Sequence, residues 1–413
     1  MRRQAVITGL GIVSPIGVGV ENFWAAARAG RSGIAAPTLF DASKLPRECQ
    51  IVGEVKNFDV HDWMPGTAGR MAGRFSQFAV AAAKMAREDA RLDEAGIPPE
   101  RLKVSIGTSL NGQVDIAETN FQAFLNGQRI APWGSNEYPA HAATSHVAID
   151  AGARGQATTF STACAAGIDA VAWAAHEVEA RNADAVIAGA TEAPLSPFIL
   201  MVFKSVGVLS RWMGPADEAS RPFDRMRAGL VLAEGAAAVV VEDEESALAR
   251  GARPYARILA AASSNEGAHL RKVDESGQIV STAMSLALER AGLGPVDIDF
   301  ISAHGNSMED YDAAETAGIK RSFGRHAWNI PVSSLKSMCG QALAAGSAMQ
   351  VVAACLTLRD QTVPPTINYH YQDPKCDLDY VANKSRAARV RHILIHAHSL
   401  GGSHVAMVLG APE

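Results

Sequence analysis

Two periods of apolar residues alternate along this chain. Phe75 to Asp93 places apolar side chains at helical spacing and runs into the short apolar stretch VSIGTS at 104–109. Ser281 to Ala291 repeats the helical spacing and runs into FISAHGN at 300–306. A β-like run, ATTFSTAC, ends at Cys164 and leads into a small-residue helix carrying Ile168, Val171, Ala175 and Val178. Its counterpart, IPVSSLKSMCG at 330–340, leads into a second small-residue helix over 342–358. Each half therefore reads helix, strand, loop, strand, serine-rich turn, helix. Alternating strands and helices predict an α/β fold. A period this long predicts duplicated domains rather than a solenoid. The stretch 194–254 is less regular. It holds RPFD at 221–224 and an apolar strand at 236–241, and is expected to connect the halves and cap a pocket. The N-terminal run AVITGLGIVSP follows two arginines, but it is brief, broken by glycines and lacks an A-x-A site. It reads as a first strand rather than a signal peptide.

Composition narrows the class. The 413 residues are 48% apolar and 20% charged, which excludes disorder for most of the chain. A net charge of −5 argues against nucleic-acid binding by the chain as a whole. The longest weakly polar stretch, Leu343 to Leu358, contains Ser347 and Gln350 and falls short of the ~20 residues of a membrane span. Five cysteines at wide spacings, with no C-x-x-C pair, argue against a disulfide framework or a zinc site and favour a reducing, cytoplasmic setting.

Several residues are candidates for chemistry. Cys164 stands at a strand-to-helix junction among small neighbours, where a helix N-terminus favours the thiolate. A buried structural cysteine is the plain alternative. His304 ends one strand of the second half. Lys336 lies at the turn that corresponds to the Cys164 turn, with Glu315 or Asp312 as its candidate carboxylate partner. A core histidine and a solvated lysine are the alternatives, but duplication would bring both turns to one pocket. Gly401 and Gly402, in SLGGSH at 399–404, are candidates for aiming backbone N–H groups at an oxyanion. Gly9 and Gly11 look like the start of a dinucleotide fingerprint. Ser14 stands where its third glycine belongs and Pro15 follows, so nucleotide binding is not expected.

Taken together, the motifs resemble the β-ketoacyl-[acyl-carrier-protein] synthases of the thiolase superfamily. The matching motifs are STACAAG around Cys164, RPFD at 221–224, AEG at 233–235, AHGNSMEDYDAAET from Ala303, SSLKSMCGQALAAGSA from Ser333 and SLGGSHVAMVLG at the end. The resemblance implies a thiolase fold of two duplicated βαβαβαββ halves, 1–250 and 251–413, in five αβαβα layers with two mixed sheets. It implies an acyltransferase whose cysteine carries an acyl chain through decarboxylative Claisen condensation with a malonyl-carrier protein. By resemblance Cys164 is the nucleophile, His304 assists decarboxylation, and Lys336 pairs with Glu315. The backbone N–H groups of Cys164 and Leu400 then form the oxyanion hole, while RPFD is scaffold.

The departures cluster in one pocket. The family's second histidine is replaced by Gln341, a hydrogen-bond donor that cannot titrate. Asn306 and Met308 stand where the family has threonines that touch the pantetheine arm, Leu400 replaces the phenylalanine of the gating loop, and His404 replaces a polar residue there. These changes suggest a specialised type II polyketide or unusual fatty-acid pathway. Two other readings stay open: an acyltransferase or atypical condensing enzyme without malonyl decarboxylation, and a non-catalytic partner like a chain-length factor. The intact STACAAG counts against the second. The expected partners are an acidic acyl carrier protein and an identical or related second subunit, with no membrane and no nucleic acid. Arg70, Arg74, Lys204 and Arg211 are the candidate docking charges. No metal or dissociable cofactor is expected, because substrates arrive on the carrier's phosphopantetheine.

Overall fold

The computed structural model describes residues 3–110 and 115–412. Met1 and Arg2, which precede the expected first strand, lie outside the described residues. Ten strands carry the architecture: β1 (Ala5–Ser14), β2 (Leu102–Gly107), β3 (Ala157–Phe160), β4 (Ala185–Glu192), β5 (Gly235–Asp243), β6 (Ala256–Asn265), β7 (Phe300–Ser302), β8 (Val332–Ser333), β9 (His392–His398) and β10 (Ser403–Gly410). Six helices pack on them: α1 (Arg74–Ala90), α2 (Ala142–Ala151), α3 (Ala166–Glu179), α4 (Gln278–Ala291), α5 (Glu309–Phe323) and α6 (Leu343–Asp360).

The duplication is visible in the strand order. The first half runs β3-β2-β4-β5-β1 and the second β8-β7-β9-β10-β6, the same order with the same directions. In each half the two strands flanking the second strand are parallel to it, and the remaining pairs are antiparallel. Instead of two separate sheets, a brief pairing of Val6 with Arg257 and Ile7 with Ala256 joins the halves into one eleven-stranded sheet, counting the short strand Gly17–Val18. Helices α3 and α6 pack on each other and on strands of both halves. Helices α1 and α2 cover the first half, and α4 and α5 the second, which makes five layers.

Sequence explains why the middle layer holds. Every side chain from Leu343 to Leu358 is buried, including Ser347 and Gln350. A helix apolar on all sides belongs inside a protein core, and no helix among the described residues is long and apolar enough to cross a membrane. Gly167 lets α3 approach α6 closely: a Cβ there would lie 2.6 Å from the Ala348 amide nitrogen. Gly9 and Gly11 serve packing too. Both lie inside β1, where a Cβ would fall 2.1 Å and 1.9 Å from carbonyl oxygens of α1. Their spacing reflects strand–helix packing rather than a phosphate loop.

One expected strand is cut short. The run 300–306 pairs only over Phe300–Ser302. Beyond it, the His304 and Gly305 amides donate to the Glu315 carboxylate at 2.7 and 2.8 Å. A buried carboxylate thus replaces the strand ladder and bends the chain into the site.

Candidate active site

Cys164 follows β3 on a single 3₁₀ turn, Ala163–Ala165, that opens into α3. Ala163 sits in the left-handed region at φ 51°, which costs on the order of 1–2 kcal/mol for a residue with a Cβ. The matching turn of the second half, between β8 and α6, presents Lys336 and Gln341. The two turns and the His304 loop converge. Gln341 Nε2 lies 3.5 Å from Cys164 Sγ and 3.4 Å from His304 Nε2. Cys164, His304 and Gln341 are each no more than 6% exposed.

The imidazole is held on both sides. His304 Nδ1 accepts the His398 backbone N–H at 3.3 Å, so in the neutral ring the proton sits on Nε2, facing Cys164 and Gln341. Burial holds His304 well below its ordinary pKa, with Lys336 adding to the effect, so the ring is neutral at pH 7. Asn306 Nδ2 also stands 3.3 Å from His304 Nε2. Asn306 Oδ1 accepts the Met308 amide at 3.0 Å, which fixes that side chain. Two carboxamides therefore flank the reactive nitrogen.

Two expectations about charge are corrected. The helix end was expected to lower the Cys164 pKa. Burial wins and pushes the thiol up to about 12, against the pull of Lys336. Nor does Lys336 touch Glu315. Its Nζ donates to the His304 carbonyl at 2.8 Å and to Gln350 Oε1 at 3.3 Å, while Glu315 is taken by the two backbone amides and by His396 Nδ1 at 2.6 Å. Burial pulls Lys336 down to about 8, and Glu315 works against that through space. Asp312 is likewise spent on the Phe223 and Asn306 amides. The lysine and both carboxylates brace the His304 loop from opposite sides. Among the described residues no group of three His, Cys, Asp or Glu side chains is placed to hold a metal ion.

The raised thiol makes a direct prediction. Alkylation of Cys164 by iodoacetamide, read from the mass of its peptide, should accelerate about tenfold per pH unit across the neutral and mildly alkaline range. A rate already flat near neutrality would mean that the helix end and Lys336 outweigh burial.

Comparison with known proteins decides the family. Residues 2–247 match the family model "Beta-ketoacyl synthase, N-terminal domain" and residues 255–370 match "Beta-ketoacyl synthase, C-terminal domain". The chain belongs to the β-ketoacyl synthase family. It is 38% identical to a 3-oxoacyl-[acyl-carrier-protein] synthase 2 of Coxiella burnetii, over 99% of this chain and 98% of the relative. It is 37% identical to a putative polyketide beta-ketoacyl synthase 1 of Streptomyces cyaneus, over 100% and 99%. Among solved structures, a type II polyketide acyl-carrier protein in complex with its ketosynthase superposes with a TM-score of 0.92 at 33% identity, covering both chains fully. The ishigamide ketosynthase/chain length factor gives the same TM-score, identity and coverage. The chain is therefore a thiolase-fold ketosynthase of the acyltransferase class.

The remaining candidates of this ketosynthase divide. Gly401 and Gly402, at φ 102° and 84°, turn the loop between β9 and β10. Their amides are spent on the Leu270 and Ser399 carbonyls, so neither is an oxyanion donor. Leu400 stays half-buried in that turn. Met308 packs with the apolar cluster that contains Cys164. RPFD is scaffold in its contacts. Arg221 is buried, pairs with Asp224 at 3.2 Å and lies over Trp212 at 4.1 Å, while Asp224 accepts three backbone amides. Arg70 and Arg211 are exposed, and Lys204 is half-buried on the helix Pro197–Val206. Arg74 is not a docking charge. It donates to the buried Glu234 at 2.7 and 2.9 Å and to the Val55 carbonyl. Arg74→Ala should cost about 3–5 kcal/mol, because it strands the Glu234 carboxylate. A chemical-denaturation curve checks this, and unchanged stability would return Arg74 to the docking surface.

Sequence reasoning missed Asn306 as a neighbour of His304, Gln350 as a partner of Lys336, and His396 and His398 altogether. The last two had a signal: H-x-H at the end of a strand puts both rings on one face.

Proposed function

We propose that Cys164 takes an acyl chain from an acyl carrier protein and that His304 and Gln341 turn a malonyl-carrier thioester into the carbon nucleophile that condenses with it. The observation that carries this reading is the position of Gln341 Nε2, 3.5 Å from Cys164 Sγ and 3.4 Å from His304 Nε2. In the resting site the thiol is intact and His304 Nε2 carries its proton, so the group between them must accept. The two ends of an amide exchange by rotation. Gln341 Oε1 has no partner among the described residues. With Oε1 turned inward, it accepts from both the imidazole and the thiol. With the NH₂ turned inward, Gln341 joins His304 Nε2–H as a donor to the enolate oxygen that forms as carbon dioxide leaves. Asn306, its Oδ1 held by the Met308 amide, is assigned with Met308 to the wall of the pocket that receives the pantetheine arm. The Cys164 amide, with that of Leu400, is assigned to the oxyanion of acyl transfer.

The chain is assigned to the apolar cluster around Cys164, which includes Leu195, Leu200, Leu209, Leu232 and Leu343. A specialised type II polyketide or unusual fatty-acid pathway in the cytoplasm fits the altered pocket, with the halves 1–250 and 251–413 each contributing one turn. The partner protein is an acyl carrier protein, drawn to Arg70, Lys204 and Arg211. A second ketosynthase-like subunit, identical or related, fits the open edge of β3, a half-exposed terminal strand. No metal or dissociable cofactor enters, because the carboxylate that leaves supplies the electron pair.

The test is intact-protein mass after exposure to a panel of acyl-carrier proteins, then addition of malonyl-carrier protein. An adduct on Cys164 that disappears as a β-ketoacyl-carrier protein two carbons longer forms is the expected result. An adduct that persists, with no carbon dioxide released, would make the protein an acyltransferase.

A further inference from the structure

A buried run of imidazoles leads away from His304. His398 lies edge-on to the His304 ring, with centroids 4.3 Å apart. His404, its cross-strand partner, follows at 5.2 Å. His404 Nε2 donates to Glu266 Oε1 at 2.9 Å. Glu266 borders the exposed stretch 267–272. His398 and His404 are each 1% exposed, yet both ring nitrogens of His398 and Nδ1 of His404 have no partner among the described residues. Leaving such groups unpaired costs about 1–3 kcal/mol each, and small mobile donors such as water are their usual partners.

Condensation creates a need that such a run would meet, and the argument rests on the condensing function proposed above. Acyl transfer from carrier thioester to Cys164 is proton-neutral, because the thiol proton leaves with the carrier thiol. In condensation the carboxylate–carbon bond breaks, its electron pair forms the new carbon–carbon bond, and the pair of the broken carbon–sulfur bond stays on Cys164. One acyl-enzyme, one malonyl thioester carboxylate and one proton become β-ketoacyl thioester, carbon dioxide and thiol. A proton must reach a buried sulfur while the carrier arm fills the entrance.

We propose that Glu266, His404 and His398 form a proton inlet from solvent to the Cys164–His304 centre. The charged and titratable groups facing this path are few. His396 stands 5.5 Å from His398 and 5.9 Å from His404. The Tyr311 ring lies 4.6 Å from His398, Lys336 acts on His304 and His398 through space, and Asp274 adjoins Glu266. Burial holds both relay rings neutral at pH 7, with His404 pushed down to about 3, so they pass a proton on without storing it.

The test compares wild type, His398→Phe and Glu266→Gln, using the acyl-carrier protein that labels wild type and malonyl-carrier protein. In both variants the rate of adduct formation should stay within about twofold, while steady-state release of β-ketoacyl product falls about tenfold or more. The loss should deepen as pH rises and external protons become scarce, the solvent deuterium isotope effect on kcat should grow, and added imidazole should restore Glu266→Gln. Glu266→Gln sits near the surface and keeps its shape, so it carries the test if His398→Phe melts early. Unchanged turnover in Glu266→Gln would overturn the inlet, as would equal loss of acylation and turnover without imidazole rescue. A wild-type protein that acylates but never elongates fails before any variant is compared, and that result refutes the condensing function itself.

Discussion

Cys164→Ala should give no acyl adduct and no condensation, yet it should still release carbon dioxide from malonyl-carrier protein. The two halves of the chemistry lie on different groups. In the proposed reaction the thiol carries the acyl chain, while the enolate is served by His304 and Gln341. The support of that pair does not run through sulfur. The His398 amide fixes the His304 tautomer, Lys336 and Glu315 hold the loop backbone, and Asn306 flanks Nε2. Removing Sγ frees the Gln341 amide from one contact and leaves the rest in place. Intact mass reads the first outcome, and trapped carbon dioxide from labelled malonyl-carrier protein reads the second. An adduct surviving in the variant would place the acyl chain on another of the five cysteines. Loss of carbon dioxide release with the adduct would mean that the thiol itself builds the donor pair.

Much of the fold and of the site was legible in the residue order, and the misses share a cause. Strand and helix periods exposed the duplication, and equal strand orders in the two halves bear it out. Cys164 and His304 were legible because each follows a strand end where the chain must turn, and the resemblance to the family's motif added Gln341. What spacing does not carry is competition for partners. Glu315 had four plausible claims on it, and the backbone amides of His304 and Gly305 together with His396 took it, leaving Lys336 to a carbonyl and to Gln350. Arg74 looked like any surface arginine until Glu234, 160 positions away, was seen beneath it. The Cys164 pKa was misjudged for a related reason. A helix end is visible in sequence, whereas complete burial is a property of the packed chain, and at this position burial is the larger effect.

Gln341→Ala should separate acylation from elongation more sharply than any other single change. Removing one donor from a preorganised oxyanion site costs about 2.7–4 kcal/mol, or roughly 10²–10³ in rate. That cost should fall on elongation, where the amide donates to a developing enolate. Adduct formation, assigned to the Cys164 and Leu400 amides, should change by only a few-fold. The comparison with Gln341→His gives the sign of the effect. An imidazole restores a donor, and the burial that keeps His304 neutral would keep it neutral too, so Gln341→His should recover elongation with no new pH dependence near neutrality. Gln341→Asn tests reach: the same amide on a shorter arm withdraws from both Cys164 Sγ and His304 Nε2, and should lie nearer to alanine than to wild type. Steady-state product formation and single-turnover acylation, measured side by side on the three variants, check all of this. If Gln341→Ala elongates as fast as wild type, the enolate rests on His304 alone, and the amide at 341 is packing rather than chemistry.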